Sequence, residues 1–146
     1  MNEEQYLKLE NQLCFAVYAC SKEITKLYRE HLEEMNLTFP QYLVMLVLWE
    51  KDERTVSDLG EKLYLDSGTL TPMLKRMEQT GLVQRVRLKE DERKVAISLT
   101  EKGKALKKQA ACIPKSVAPS FGITKEDYLD LLMQLNRITT QLRKGE

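Results

Sequence analysis

The groups in this chain able to do chemistry are three cysteines, a helix face of hydroxyls and cations, and an arginine in a charged hairpin tip. Cys14 lies in Leu13-Cys14-Phe15, Cys20 follows six residues later, and Cys112 precedes Ile113-Pro114. A thiol acts as a nucleophile only when its thiolate is stabilised; otherwise it packs like a small hydrophobe. By spacing alone Cys14 reads as a core thiol. Cys20 is about 9 Å along and about 240° around the same predicted helix, so it cannot bridge to Cys14 and reads as filler. His31 is the single histidine, and with the cysteines it forms no C-x-x-C or H-x-x-x-H spacing. No metal site, glycine-rich phosphate loop or Ser/His/Asp site is expected, and no cofactor.

The second group is carried by Leu65 to Gly81. Leu70, Met73, Leu74 and Met77 recur at helical spacing and make one apolar stripe. Asp66 suits the N-cap and Gly81 the left-handed position past the C-terminus. Ser67, Thr69, Thr71, Lys75, Arg76 and Gln79 remain on or beside the other side. Hydroxyls, an amide and cations are the groups that meet base edges and phosphates, so this stretch reads as a recognition helix. Pro72 conflicts with that. If the helix starts at Ser67, the proline falls in the second turn and removes a backbone hydrogen bond. Either the helix begins nearer Thr69, or Pro72 bends it.

The elements that must position these groups follow from periodicity and caps. Glu3 to about Met35 reads as one long helix with an Asn2/Gln5 capping pair and Leu9, Leu13, Val17, Ile24, Leu27, Tyr28 and Leu32 on its apolar side. Some 32 residues would span roughly 48 Å, more than one small domain needs, which points to a partner chain. Thr38-x-x-Gln41 opens a helix with Pro40 in its first turn, apolar nearly all round and therefore buried. Lys51 to Arg54 reads as a polar loop. Thr55 caps a short helix, Val56 to Tyr64, with Val56, Leu59 and Leu63 inward. After Gly81 the period changes: Leu82–Leu88 and Val95–Leu99 read as strands joined by a charged tip, Lys89 to Lys94. A helix-turn-helix followed by a β-hairpin is a winged helix. Thr100 caps a helix to about Cys112, which Pro114 bends or ends. Thr124-x-x-Asp127 opens the last helix, with Tyr128, Leu131, Leu132, Leu135, Ile138 and Leu142 on one face.

The expected fold is mainly α with a small β-hairpin wing. It is a single domain over residues 1–146, in which residues 38–99 bind DNA while residues 1–36 and 100–146 form a helical homodimer. Composition agrees with a globular chain: 146 residues, 42% hydrophobic, 31% charged, net charge +1. A general basic coat is excluded, and the charge is local. Residues 66–94 hold seven cations against five carboxylates, residues 1–36 four against seven. The polar, acidic Asn2-Glu3-Glu4-Gln5 is no signal peptide and no apolar run approaches a membrane span of ~20 residues. A cytoplasmic location, no membrane partner and reduced thiols are expected.

Thr55 to Gly81 with Asp91-Glu92-Arg93-Lys94 resembles the MarR family of winged-helix regulators. Leu9 to Phe15 together with Leu63 to Glu78 resembles, more narrowly, that family's organic-hydroperoxide-sensing repressors (OhrR). The likeness runs from about Leu9 to Leu99, and beyond that it is one of pattern. It implies a homodimeric repressor on a pseudo-palindromic double-stranded operator, released when the N-terminal cysteine is oxidised by organic hydroperoxide. Carried over by position, Ser67, Thr69, Thr71 and Arg76 are major-groove and phosphate contacts, Arg93 the wing residue of the minor groove, and Asp91 its ion-pair partner. Lys75, Arg87 and Lys89 read as phosphate contacts, which position without specifying.

The same resemblance makes Cys14 the peroxide-reactive thiol and Cys112 the resolving cysteine of the two-cysteine members. It implies an intersubunit Cys14–Cys112 disulfide, or in its place a mixed disulfide with a small cellular thiol. Tyr28 corresponds to a thiolate-supporting tyrosine, but it lies roughly 21 Å along one helix from Cys14. It can reach only the other subunit's thiol, if the first helices cross antiparallel. The family has a second tyrosine where this chain has Phe39, which removes one hydroxyl; Tyr18 and Tyr42 are candidates to compensate. Two rival functions stay open: a winged-helix regulator gated by a small phenolic or lipophilic ligand with Cys14 inert, and a thiol peroxidase. The peroxidase leaves the hydroxyl-rich helix unexplained and is disfavoured; no enzyme is expected.

Overall fold

In the computed structural model, which describes residues 1–145, six helices start where a side chain can accept a hydrogen bond from the first turn. Asn2 and Thr38 do so in full capping boxes closed by Gln5 and Gln41. Thr55, Asp66, Thr100 and Thr124 accept from the backbone N–H three residues on. Each satisfies a donor that a helix start otherwise leaves orphaned. Pro40 and Pro119 stand in first turns, where no donor is needed.

The chain divides into two units, the first Met1–Ile113, the second beginning at Pro114. In the first, α1 (Glu3–Tyr6) and a 3₁₀ turn (Leu9–Asn11) lead to α2 (Leu13–Leu32). A second 3₁₀ turn, Glu33–Met35, ends on Asn36 in the left-handed conformation. Then come α3 (Phe39–Glu50), β1 (Arg54–Thr55), α4 (Val56–Leu63), α5 (Ser67–Gln79), β2 (Val83–Arg87), β3 (Val95–Leu99) and α6 (Glu101–Ala110). The sheet order is β1-β3-β2, all antiparallel, with Arg85 opposite Ile97 and Arg54 also opposite Ile97 from the other side. The core is Leu32, Val44, Met45, Leu48, Leu59, Leu70, Leu74, Met77, Val83 and Ile97, all essentially inaccessible. It gathers the inner stripes of α2, α3, α4 and α5 onto the sheet. Truncating one of these leucines to alanine costs about 2–5 kcal/mol.

α7 (Cys112–Val117) runs across the boundary between the units. In the second unit a 3₁₀ turn, Ala118–Phe121, ends on left-handed Gly122 before α8 (Lys125–Arg143). The Phe121 and Tyr128 rings lie 6.0 Å apart. No residue of α8 is buried; Leu131, Leu132, Leu135, Ile138 and Leu142 are exposed.

Several expectations are corrected. The first 35 residues are not one helix: Lys8 and Gln12 are extended, and the side chains of Asn11 and Gln12 cap the carbonyls of the short α1, Asn11 Nδ2 reaching Gln5 O at 2.8 Å. A polar amide competing for the backbone ends the helix, although the apolar spacing continues. Residues 51–54 are not only a loop, because Arg54 enters the sheet as β1, anchored by Asp52 Oδ1 accepting from Leu99 N at 2.9 Å. The helix after Thr100 stops at Ala110, and Pro114 sits in the first turn of α7, where it is tolerated. α3 is not covered all round, since Leu46 is exposed. Of Val56, Leu59 and Leu63, only Leu59 is fully buried, the other two half-buried.

Candidate nucleic-acid interface and thiol site

The turn into α5 is made by α4's end. Tyr64 takes the left-handed conformation, φ 57°, and Leu65 N donates to Gly60 O at 3.0 Å. A Cβ on Gly60 would lie 2.7 Å from Leu65 O, so only glycine lets the chain fold back this tightly. Gly60 was not singled out from sequence, although a lone glycine inside a helical pattern is the available signal.

α5 begins at Ser67 and continues past Pro72. The proline therefore sits in the second turn without ending the helix, and one backbone hydrogen bond is given up. Asp66 Oδ1 accepts from Thr69 N at 2.7 Å, and this bond holds the Asp66 carboxyl below its ordinary range. The apolar stripe faces inward as expected: Leu70, Leu74 and Met77 are inaccessible and Met73 half-buried. Ser67, Thr69, Lys75, Arg76 and Gln79 are exposed, and Thr71 is half-buried. Gly81 is left-handed, φ 80°, and closes the helix.

The wing carries Arg87, Lys89 and Arg93 on its exposed surface. At the tip Asp91 organises a tight turn. Its carboxylate accepts from Arg93 N at 3.1 Å and from Arg93 Nε at 3.3 Å, while its carbonyl accepts from Lys94 N at 2.9 Å. The Arg93 side chain is 92% exposed, so it is aimed outward by Asp91 and otherwise solvated. Arg87 Nη1 donates to Glu92 O at 2.8 Å, which braces the strand against the tip.

Sequence reading missed a second connection. Glu78, near the end of α5, accepts from Arg85 N at 2.9 Å and from Arg85 Nε at 3.3 Å, both in β2. The backbone hydrogen bond is the main reason its carboxyl lies below the ordinary range.

Cys14 is the second residue of α2 and is exposed, as are Cys20 and Cys112. The core-thiol reading of Cys14 therefore does not hold for the single chain. Tyr28 packs edge-on to Phe39, ring centroids 5.4 Å apart, and lies 5.7 Å from the Tyr42 ring; Phe39 and Tyr42 are 6.4 Å apart. Burial, then Tyr28, pushes the Tyr42 hydroxyl up, so it stays a neutral donor. The fold thus brings together Tyr28, Phe39 and Tyr42. It leaves Tyr18 apart, one turn from Cys14, exposed, with Lys22 Nζ 5.4 Å from its ring centroid. Cys14 and Tyr28 sit at opposite ends of the continuous α2. Among the described residues no cluster of three or more His, Cys, Asp or Glu could hold a metal ion, and no helix is long and apolar enough to cross a membrane.

Residues 26–110 match the family model of the SarA/Rot transcriptional regulators. The chain is 52% identical over 141 residues to an organic hydroperoxide resistance transcriptional regulator of Bacillus subtilis, covering 97% of this chain and 94% of that protein. It is similar to reduced AbfR bound to DNA, with a TM-score of 0.78, 35% identity, and coverage of 94% and 97% of the two chains. It also resembles the disulfide-formed AbfR, with a TM-score of 0.65, 34% identity, and coverage of 94% and 96%. AbfR is a Staphylococcus epidermidis protein.

Proposed function

From the chain's membership of the MarR family of winged-helix regulators, in its OhrR branch, we propose a cytoplasmic homodimeric repressor that senses organic hydroperoxide through Cys14. The chain is a transcriptional regulator of the OhrR type and not an enzyme. Residues 38–99 bind DNA, and residues 1–36 and 100–146 make the dimer. Two recognition helices, one from each subunit, enter successive major grooves about 34–36 Å apart on a pseudo-palindromic operator. Ser67, Thr69, Thr71 and Arg76 contact bases and phosphates, with Lys75, Arg87 and Lys89 adding phosphate contacts. Arg93, aimed by Asp91, enters the minor groove, where the negative potential is strongest when the groove is narrow.

The observation that carries the sensing step is the placement of Cys14 in the exposed first turn of α2, with the Tyr28–Phe39–Tyr42 group at that helix's other end. Antiparallel crossing of two α2 helices sets each thiol beside the other subunit's tyrosines. Hydrogen bonds from Tyr28 and the neutral Tyr42 hydroxyl then stabilise the thiolate. The thiolate attacks the distal oxygen of the hydroperoxide; the O–O bond breaks, sulfenic acid forms, and the alcohol leaves after taking up a proton. The thiol of Cys112 in the partner then displaces the sulfenic oxygen as water and forms the intersubunit disulfide. The dimer shifts, the helix spacing no longer fits, and the operator is released. AbfR, which has been solved both reduced on DNA and disulfide-formed, is a precedent for both states.

The experiment is operator binding against added hydroperoxide, with non-reducing gels in parallel. Wild type is expected to release DNA and run as a covalent dimer, and Cys14→Ser to do neither. Cys112→Ser is expected to lose the dimer band; a surviving band overturns the disulfide. Release by Cys14→Ser overturns the sensor and leaves a repressor gated by a small phenolic or lipophilic ligand.

A further inference from the structure

We propose that Glu78 is a positioning residue for DNA recognition, which sets the pitch of the wing against the recognition helix by holding the backbone of Arg85. This rests on the reading above that Arg93 enters the minor groove. β2 is an edge strand, since the order is β1-β3-β2. The Arg85 N–H is turned away from β3, and Glu78 Oε2 accepts it at 2.9 Å. Without Glu78 that donor has only water.

Leverage makes the contact matter. Helix and strand are joined at the base by Leu82 N donating to Met77 O at 2.9 Å, around left-handed Gly81. The packing of Val83 and Ile97 into the core holds the base of the wing with it, whereas β2 beyond Val83 is half-buried or exposed. From Val83 to Leu88 the strand rises about 17 Å, so a 10° tilt at the base moves the tip by about 3 Å. A hydrogen bond or groove contact tolerates only a few tenths of an ångström, roughly. Glu78 adds a second fixed point in the middle of β2, and two points define a direction. The ion pair itself is secondary. The side chains are 27% and 39% exposed, and pairs of that kind contribute little. The backbone acceptor is what counts.

Charge and geometry predict opposite signs, which makes the role testable. Glu78 is a carboxylate near DNA, so by charge alone its removal tightens binding to any duplex. By position its removal weakens only the specific complex. The test uses full-length reduced protein and two duplexes of equal length, one selected by wild type from a random library and one scrambled. Glu78→Ala, Arg93→Ala and the double variant are compared. Glu78→Ala is expected to weaken the selected duplex about tenfold, as loss of one groove contact does, while leaving the scrambled one unchanged or tighter. Added to Arg93→Ala it is expected to cost nothing further. Glu78→Gln, which keeps an acceptor for Arg85 N, restores most of the binding. Should Glu78→Ala fail to fold, Glu78→Met, which fills the same space but offers Arg85 N no acceptor, carries the same cycle with the same expected outcome. Losses that multiply in the double variant, or wild-type affinity of the single one, overturn the positioning role and leave the wing reading standing. An Arg93→Ala protein that binds like wild type overturns both.

Discussion

Trp49 Nε1 donates to Gly103 O at 2.9 Å, and this bond ties α3, which carries Tyr42, to the first turns of α6. Gly103 is held close on its other side: a Cβ there would lie 2.3 Å from Leu82 O, just past the end of α5. One residue of α6 thus touches both the helix of the tyrosine group and the exit of the recognition helix. Trp49→Phe is expected to lose about 1 kcal/mol for the missing hydrogen bond. Gly103→Ala is expected to lose more, about 1–3 kcal/mol, because the obstructing atom is backbone. Urea midpoints of the two variants, with unchanged m-values, check the order.

The cap of the recognition helix has a pH signature. The Asp66 carboxyl is held below its ordinary range chiefly by the hydrogen bond from Thr69 N. A depressed carboxyl contributes stability that is fully present above its unfolded value, near pH 4, and is lost as pH falls through the folded value. Asp66→Ala is expected to melt below wild type at pH 7. The gap should close as the pH is taken down through the carboxylate range. A gap independent of pH would show that Asp66 acts through something other than its charge. Glu78, lowered by Arg85 N, predicts the same sign for Glu78→Ala.

Caps and strands were the most legible features. Asp66, Thr55, Thr100 and Thr124 are local signals, because the acceptor and the donor it satisfies are three residues apart. Gly81 and the two strands of the hairpin likewise follow from near neighbours. Most of the failures share a cause: the deciding partner lies on another element. β1 exists only because Ala96 and Ile97 pair with it, and Glu78 only matters because Arg85 is opposite. The break before α2 is a different kind of miss. There the apolar spacing continued, and the side chains of Asn11 and Gln12 overrode it. The exposed hydroxyls and cations of α5 and the wing were legible by type, while the Tyr28–Phe39–Tyr42 contact needed α2 and α3 packed together.

Phe39 offers a gain-of-function test. Its ring lies against Tyr28 and near Tyr42 and is half-buried. If the group faces the partner's Cys14, Phe39→Tyr adds a donor to the thiolate. A hydrogen bond to a charged acceptor contributes about 1.5–3 kcal/mol, so the variant's thiolate is expected to persist to a pH about one to two units lower than in wild type. Alkylation rates of Cys14 against pH, in a Cys20→Ser, Cys112→Ser background, read this directly. An unchanged profile would separate the aromatic group from the thiol.

If the chain forms the proposed homodimer, its uncovered apolar side chains are where the contact is expected. On α8 Leu131, Leu132, Leu135 and Ile138 are all exposed, and before and within α2 so are Leu9, Leu13, Phe15 and Val17. Contiguous exposed leucines at helical spacing are costly in water at about 25 cal/mol for each Å², which a second copy recovers by covering them. Leu135→Glu in the middle of the α8 stripe is expected to leave the DNA-binding fold intact, because no residue of α8 belongs to that core. It is expected to shift the protein to monomer in sedimentation velocity at micromolar concentration. Operator affinity should fall much further than scrambled-duplex affinity, since one subunit grips one half-site and the gain from linking two is lost. Arg76→Ala should do the reverse. It keeps the dimer and weakens both duplexes, with a smaller salt dependence. A Leu135→Glu protein that stays dimeric would place the two-fold contact elsewhere than on α8.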